Sequence, residues 1–260
     1  MPALYLGPLT ISVYTVSVFL AGLLGFFTLW LLSKSYRVDD GLALDAALVA
    51  ILLGIIAGRA EVILTNLDYF RERPTLLLDP QQGGLGQRSL AVSAVAAYIA
   101  IVVPRRSDWR SYLNALTPAI ALAASIVWVG AGLNGQAAAA PWQGPWALSL
   151  PDKYGIVAPR LPLQFIMAGT HLALAVLLLL LNRALTPGLS LCFWGAVTSA
   201  LSALLSNFRA EAVLLIGVIP RPVAADVALT VGWLIVAFVL PRPTVSTGKP
   251  ELNREVESDH

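Results

Sequence analysis

The sequence predicts an all-α, polytopic membrane protein, and three observations carry that prediction. Of its 260 residues, 57% are hydrophobic and only 12% are charged, whereas a soluble domain carries roughly 25% charged residues. Mean hydropathy is +0.75. The apolar residues fall into about seven runs separated by polar loops, most of them near the ~20 residues that cross a hydrocarbon core.

The expected spans follow in order. Span one runs from about Thr10 to Leu32 and ends at Lys34 and Arg37. Residues before Thr10 include no Lys or Arg, so this run is expected to span rather than to serve as a cleaved leader. Span two, Leu42 to Leu64, carries Asp45, Arg59 and Glu61, and a polar loop follows from Asn66 to Gln87. Span three, Arg88 to Val103, is short for a ~30 Å core. After the basic segment PRRSDWR, span four covers Tyr112 to Leu133 and a long loop reaches Arg160. Spans five, six and seven are Leu161–Leu181, Leu189–Leu205 and Val223–Leu240. Residues 1–240 are therefore expected to form one transmembrane domain, and the polar residues 241–260 a disordered cytoplasmic tail. The short loops hold dense basic residues, among them Lys34, Arg37, Arg105, Arg106 and Arg110. The positive-inside rule then places the N-terminus outside and the C-terminus in the cytoplasm. Every long loop falls on the outer face, where residues 137–160 are expected to build a small loop subdomain.

The composition also excludes function classes. A net charge of +2, spread between the runs, argues against a nucleic-acid partner. The one cysteine, Cys192, lies in an apolar run, so neither a disulfide framework nor a Cys/His metal site is expected, and no cofactor is implied. The spans carry no repeat and no paired helix breaks, which disfavours a transporter.

Polar residues at the membrane surface mark the candidate site. The stretch SIVWVGAGLNGQAAAAPWQGPW, Ser125 to Trp146, loosens a spanning helix into Gly130, Gly132 and Gly135, with the amides of Asn134 and Gln136 beside them. Glycines and amides at such a helix end serve backbone and polar groups that face something other than lipid. Arg59 and Glu61 lie two positions apart, roughly 200° around a helix, so they cannot pair along it. Each needs another helix, a headgroup or water. Arg59 can snorkel to the interface or hold a phosphate with its planar fork. Tyr14 suits an interfacial belt or a site, and Trp142 and Trp146 suit the belt. Arg88 and Arg160 can meet headgroup phosphates, and Arg209 can be solvated. His171 is either hydrogen-bonded packing or a base; Glu61, Asp68 and Glu211 are the other acid–base candidates.

Taken together, these segments resemble the prolipoprotein diacylglyceryl transferase family, in the same order from about Gly7 to Leu240. GPLTISVYT is similar to the start of the family's first span, with Tyr14 on its tyrosine. AGRAEVILTNLDYF resembles its Gly-Gly-Arg-x-Gly-Tyr segment, matching Gly58, Arg59 and Asn66, and QQGGLGQR its glycine turn, matching Gly83 and Gly84. VGAGLNGQ resembles the signature Gly-Arg-x-Gly-Asn-x-x-Asn-Gly-Glu, matching Gly130, Asn134 and Gly135. GIVAPRLPLQF matches Pro159, Arg160, Pro162 and Gln164 of a further segment, and SNFR matches Arg209. The departures are specific. The signature arginine falls on Trp128, its first asparagine on Ala131 and its glutamate on Gln136. One family histidine falls on Arg88 and another on Leu161. A glutamate falls near Thr170 and another on Ser206, and the arginine of span six has only Thr198, Ser199 or Ser202 to align with.

The resemblance implies transfer of a diacylglyceryl group from phosphatidylglycerol to a lipobox cysteine, in a bacterial cytoplasmic membrane. Phospholipid and lipoprotein precursors, or a membrane complex, are the implied partners. The chemistry needs a thiolate and cations for the phosphate. Arg59, Arg88 and Glu61 are the candidate catalytic residues, and Tyr14, Asn134, Gln136, Arg160 and Arg209 the candidate lipid contacts. The missing charged positions motivate the alternative, a catalytically inactive lipid-binding or scaffolding protein of the same fold.

Overall fold

A computed structural model describes residues 3–6, 9–77, 85–106, 108–181, 188–210, 215–216 and 219–240. The expectations that fall on Gly83, Gly84, Glu211 and the 241–260 tail lie outside the described residues.

Helix α1 (Val13–Ser35) begins where the Ser12 hydroxyl accepts the Thr15 amide at 3.0 Å. Helix α2 (Asp40–Thr65) begins where Asp39 accepts the Leu42 amide at 3.0 Å, with Asp40 in its first turn. Both starts satisfy orphan amides, and that of α2 also places negative charge where the helix dipole favours it. The chain then makes helix α3 (Leu67–Glu72) and a 3₁₀ turn at Pro74–Leu76, inside what the sequence reads as plain loop. Helices α4 (Gln87–Val102), α5 (Trp109–Leu133), α6 (Leu163–Leu181), α7 (Leu189–Ser206) and α8 (Arg221–Val239) complete the bundle.

Six of these helices are long and apolar enough to cross a membrane: α1, α2, α5, α6, α7 and α8. Helix α4 has 16 residues, about 24 Å at 1.5 Å per residue, which explains why the third expected span reads as short. The all-α expectation holds for the helices and needs one correction outside them. Strands β1 (Ala3–Leu6) and β2 (Leu9–Ser12) form an antiparallel ribbon ahead of α1. Strands β3 (Leu148–Pro151) and β4 (Val157–Arg160) form a second between α5 and α6. Strands β5 (Leu215–Ile216) and β6 (Ile219–Pro220) form a third ahead of α8. Ribbon pairing supplies the backbone hydrogen bonds that a chain lying on an apolar bundle must find for itself.

Helix pairing rests on small residues, because lipid tails provide no hydrophobic drive for helices to associate. The main pairs are α1 with α5, α2 with α4, α5 with α6, and α7 with α8. A Cβ on Gly130 would lie 2.3 Å from the Ser17 Cβ, and one on Gly25 3.2 Å from the Ala123 Cβ. Gly54 and Gly58 of α2 lie against Leu90 and Ala94 of α4 and the backbone of Gly86. The core cluster of Leu29, Ala43, Ala47, Tyr98, Val102, Tyr112 and Leu116 sits toward the end with short connections. There Arg106 pairs with Asp39 at 2.5 Å, the Asp39 amide donates to the Tyr112 hydroxyl, and Asn114 accepts from the Gly188 amide and the Ser190 hydroxyl. The opposite end carries the long connections, and all eight candidate residues lie toward it.

Candidate functional site

The end of α5 shows how the sequence builds this site. Asn134 closes the helix, Gly135 adopts φ +67°, and the chain reverses. The Gln136 amide donates to the Ala131 carbonyl at 2.8 Å and the Gly135 amide to the Gly132 carbonyl at 3.3 Å. This is the Schellman arrangement, which favours glycine at the left-handed position. A Cβ on Gly135 would also lie 2.3 Å from the Asp152 carbonyl oxygen, so the β3–β4 ribbon packs against this turn. Gln164, at the start of α6, donates to the Gln136 carbonyl at 2.7 Å. Asn134, Gln164 and Arg160 are all nearly fully buried. The Asn134 Oδ1, Gln164 Oε1 and Arg160 Nε have no partner among the described residues.

Arg160 ties the ribbon together. Its Nη1 donates to the Ala139 carbonyl at 2.5 Å and its Nη2 to Asp152 at 3.0 Å. Asp152 also accepts the amides of Tyr154 and Ile156, forming the turn in which Gly155 takes φ +82°. Burial pulls the Asp152 carboxyl up, but those two amides and Arg160 more than offset it and hold it below the usual aspartate value. The 139 strand bridges to Arg209: the Ala140 amide donates to the Phe208 carbonyl and the Ala210 amide to the Ala138 carbonyl. Asn134, Gln136, Arg160 and Arg209 therefore belong to one hydrogen-bonded head over the ends of α5, α6 and α7.

A second group lies at the same end of the helices. Arg88, in the first turn of α4, grips Asp226 of α8 through Nε at 2.5 Å and Nη2 at 2.7 Å. Ser202 and Ser206 of α7 donate to the same Asp226 oxygen, at 2.7 and 3.4 Å. The next residue, Ser89, donates its hydroxyl to Glu61, whose carboxylate leaves no room for a Cβ on Gly86. The Tyr14 backbone passes Gly130 of α5. The two groups meet along α1 and at Ser206, whose carbonyl accepts the Arg209 amide at 3.4 Å.

Arg59 is directed at main-chain carbonyls of the segment after α3. It donates from Nε to the Leu77 carbonyl at 2.8 Å and from Nη2 to the Leu76 carbonyl at 2.6 Å, with Phe70 5.1 Å from its guanidinium. It thus holds the α3 segment back against the end of α2. His171 is buried and its Nδ1 accepts from the Trp194 indole at 3.2 Å, which is packing on α6 and α7 rather than part of either group. Asp68 is exposed beside Arg71.

Sequence reasoning missed Asp226 as a functional candidate, together with its partners Ser202 and Ser206. The signal was present: Asp226 is the one acidic residue in the apolar run of α8, and an ionisable residue within a span is a site candidate by default.

The apolar helices and the polar cluster at one end define a multi-pass membrane protein with a site built where several helices end together. Sequence comparison carries this further. The prolipoprotein diacylglyceryl transferase family matches residues 2–240, and the chain belongs to that family. A phosphatidylglycerol–prolipoprotein diacylglyceryl transferase of Corynebacterium efficiens is 34% identical over 164 residues, 60% of this chain and 50% of that protein. Proteins of the same name from Streptomyces coelicolor and Finegoldia magna are 30% and 26% identical, over 56% and 53% of this chain and 47% and 55% of theirs. The chain spans about half the length of the curated relatives it matches.

Proposed function

We propose that this chain transfers a diacylglyceryl group from phosphatidylglycerol to the cysteine thiol of a prolipoprotein. The observation that carries the reading is the family match over residues 2–240, and the names of the relatives favour it over an inactive scaffold. In the transfer the cysteine sulfur bonds to the terminal glyceryl carbon as the carbon–oxygen bond to phosphate breaks. The glycerol phosphate leaves with the electron pair, and the thiol proton passes to a base.

In this reading Glu61 accepts the proton, held in place by Ser89, and Arg88 supplies positive charge beside it. Arg59 works through the Leu76–Leu77 segment, which it fixes over the site. Tyr14, Asn134, Gln136, Arg160 and Arg209 line the seat of the lipid; the unpartnered Asn134 Oδ1 and Arg160 Nε support that assignment. The polar end faces outward in a bacterial cytoplasmic membrane, α4 is the seventh crossing, and the 137–160 head is a small outer subdomain. Residues 1–240 form one transmembrane domain and residues 241–260 a cytoplasmic tail.

Expression in a cell depleted of its own transferase tests the proposal. Rescue, with a thioether-linked diacylglyceryl group on a lipobox peptide, is the expected result. Failure of both, with the chain present in the membrane, refutes it and leaves the lipid-binding scaffold.

A further inference from the structure

Helix α8 is almost bare: only 6% of its most apolar window is buried. Its one buried residue is a carboxylate, Asp226, 3% exposed. Trp233 packs against Gly195 of α7 and the core further along the helix, but at its first turns α8 inserts an acid among apolar side chains that face outward. The acid cannot be a bystander, since an unpaired charge within a span is expensive.

All its hydrogen bonds are directed. One Asp226 oxygen takes the Arg88 Nε and the other takes the Nη2 and the hydroxyls of Ser202 and Ser206. Helices α4 and α8 share almost no other packing, so the pair spans two helices that otherwise stand apart. Helix α7 has no charged residue. The carboxylate beside Ser206, where the family resemblance leads one to expect a glutamate, comes from α8 instead. Glu61 lies close enough for its charge to act on Arg88 as well. Arg88 therefore feels two carboxylates, and Asp226 already holds its fork through Nε and Nη2, leaving Nη1 out of both bonds.

We infer that Asp226 is a positioning residue for Arg88 and, resting on the transferase reading above, for the transfer step. Held by Asp226, the guanidinium keeps its Nη1 edge toward the site and stays off Glu61. Without that hold Arg88 turns to the remaining carboxylate and neutralises the proposed base. Removing Asp226 thus acts on turnover rather than on lipid affinity.

The test uses the full chain purified into lipid, phosphatidylglycerol vesicles and a lipobox peptide. Asp226→Asn is expected to lower kcat by about 10- to 100-fold, the scale seen when the carboxylate that orients a metal-ligating histidine is lost, with KM for phosphatidylglycerol changed little. Asp226→Glu recovers much of the loss. In thermal unfolding, Arg88→Ala and Asp226→Ala each destabilise the protein, and the double variant loses less than their sum, because Arg88→Ala alone strands the buried Asp226 carboxylate. Wild-type kcat in Asp226→Asn overturns the inference. So does an additive cycle, or Asn and Glu variants that lose activity only in step with unfolding temperature. A wild type with no turnover overturns the transferase reading and this role within it, while the cycle still reports whether the pair exists.

Discussion

The approach of α2 and α4 sets where Arg88 and Ser89 stand, and Gly54 sets that approach. A Cβ at Gly54 would lie 2.8 Å from the Leu90 carbonyl oxygen and 3.0 Å from the Ala94 Cβ. Carbon–oxygen contacts of this kind settle near ~3.3 Å or beyond, so Gly54→Ala must push the helices apart by about half an ångström. Forcing extra volume into a packed contact costs about 1–3 kcal/mol. The same substitution also gains about 1 kcal/mol of helix propensity, which hides part of the cost. Gly22 of α1 supplies the control, since a Cβ there meets nothing within 4 Å. Gly22→Ala takes the propensity gain alone. The difference between the two variants therefore isolates the clash, about 1–3 kcal/mol, or a few degrees in unfolding temperature at ~2–4 °C per kcal/mol. The assay is thermal unfolding of both variants in one detergent, with transfer measured alongside. Gly54→Ala should melt below Gly22→Ala and transfer more slowly, because the displaced helix carries Arg88. Equal melting of the two would refute the claim that this contact is tight.

Three further outcomes follow from the head. Gly135→Ala is expected to destabilise the protein by about 1–3 kcal/mol from backbone strain alone, since the residue holds φ +67°; circular dichroism melting reads it. Arg160→Ala removes the charged bond to the Ala139 carbonyl, worth about 1.5–3 kcal/mol, and should open the β3–β4 ribbon to limited proteolysis while the spans stay folded. The ribbon also depends on pH with a definite sign. The Asp152 carboxyl is held below the usual aspartate value, so its contribution is complete above the unfolded pKa and is lost as pH falls through the folded one. Protection of the Tyr154 and Ile156 amides against hydrogen exchange, taken relative to the intrinsic rate at each pH, should hold at neutral pH and fall only below about pH 4. Asp152→Asn should abolish that acid limb.

Much of the fold was legible because helices in a membrane announce themselves by length. The short third run corresponds to α4, and Gly130 and Gly135 mark a helix that packs closely on α1 and ends in a left-handed turn. Two things were not legible. Arg59 answers to carbonyls 17 and 18 positions away, in a TLLLD stretch whose own sequence reads as an interfacial piece of the polar loop and names no partner. Arg88 answers to a residue 138 positions away. Periodicity reports which face of a helix is apolar, but it carries no information about which distant helix will meet a lone polar residue. Asp226 is visible as a lone acid in the apolar run of α8, but no residue one turn away could neutralise it, so its partner is not legible.

The departures from the family signature look different once the contacts are in view. Ala131 and Gln136 are changed in side chain, yet the bond between them is backbone to backbone and survives any residue that fits the turn. Gln136 likewise receives Gln164 on its carbonyl, not on its amide. The frame of the site is therefore written in main-chain bonds and glycines, which tolerate replacement of nearby charges. Charges themselves are constrained in another way: inside a span they must balance, so one cannot be lost or gained alone. Arg88 is accompanied by Asp226, and Ser206 gives up a carboxylate position while donating a hydrogen bond to the one that arrives from α8. The carboxylate that Ser206 lacks is thus supplied across the helix pair, from α8 to α7. The residues to weigh in judging its activity are the pairs rather than the positions.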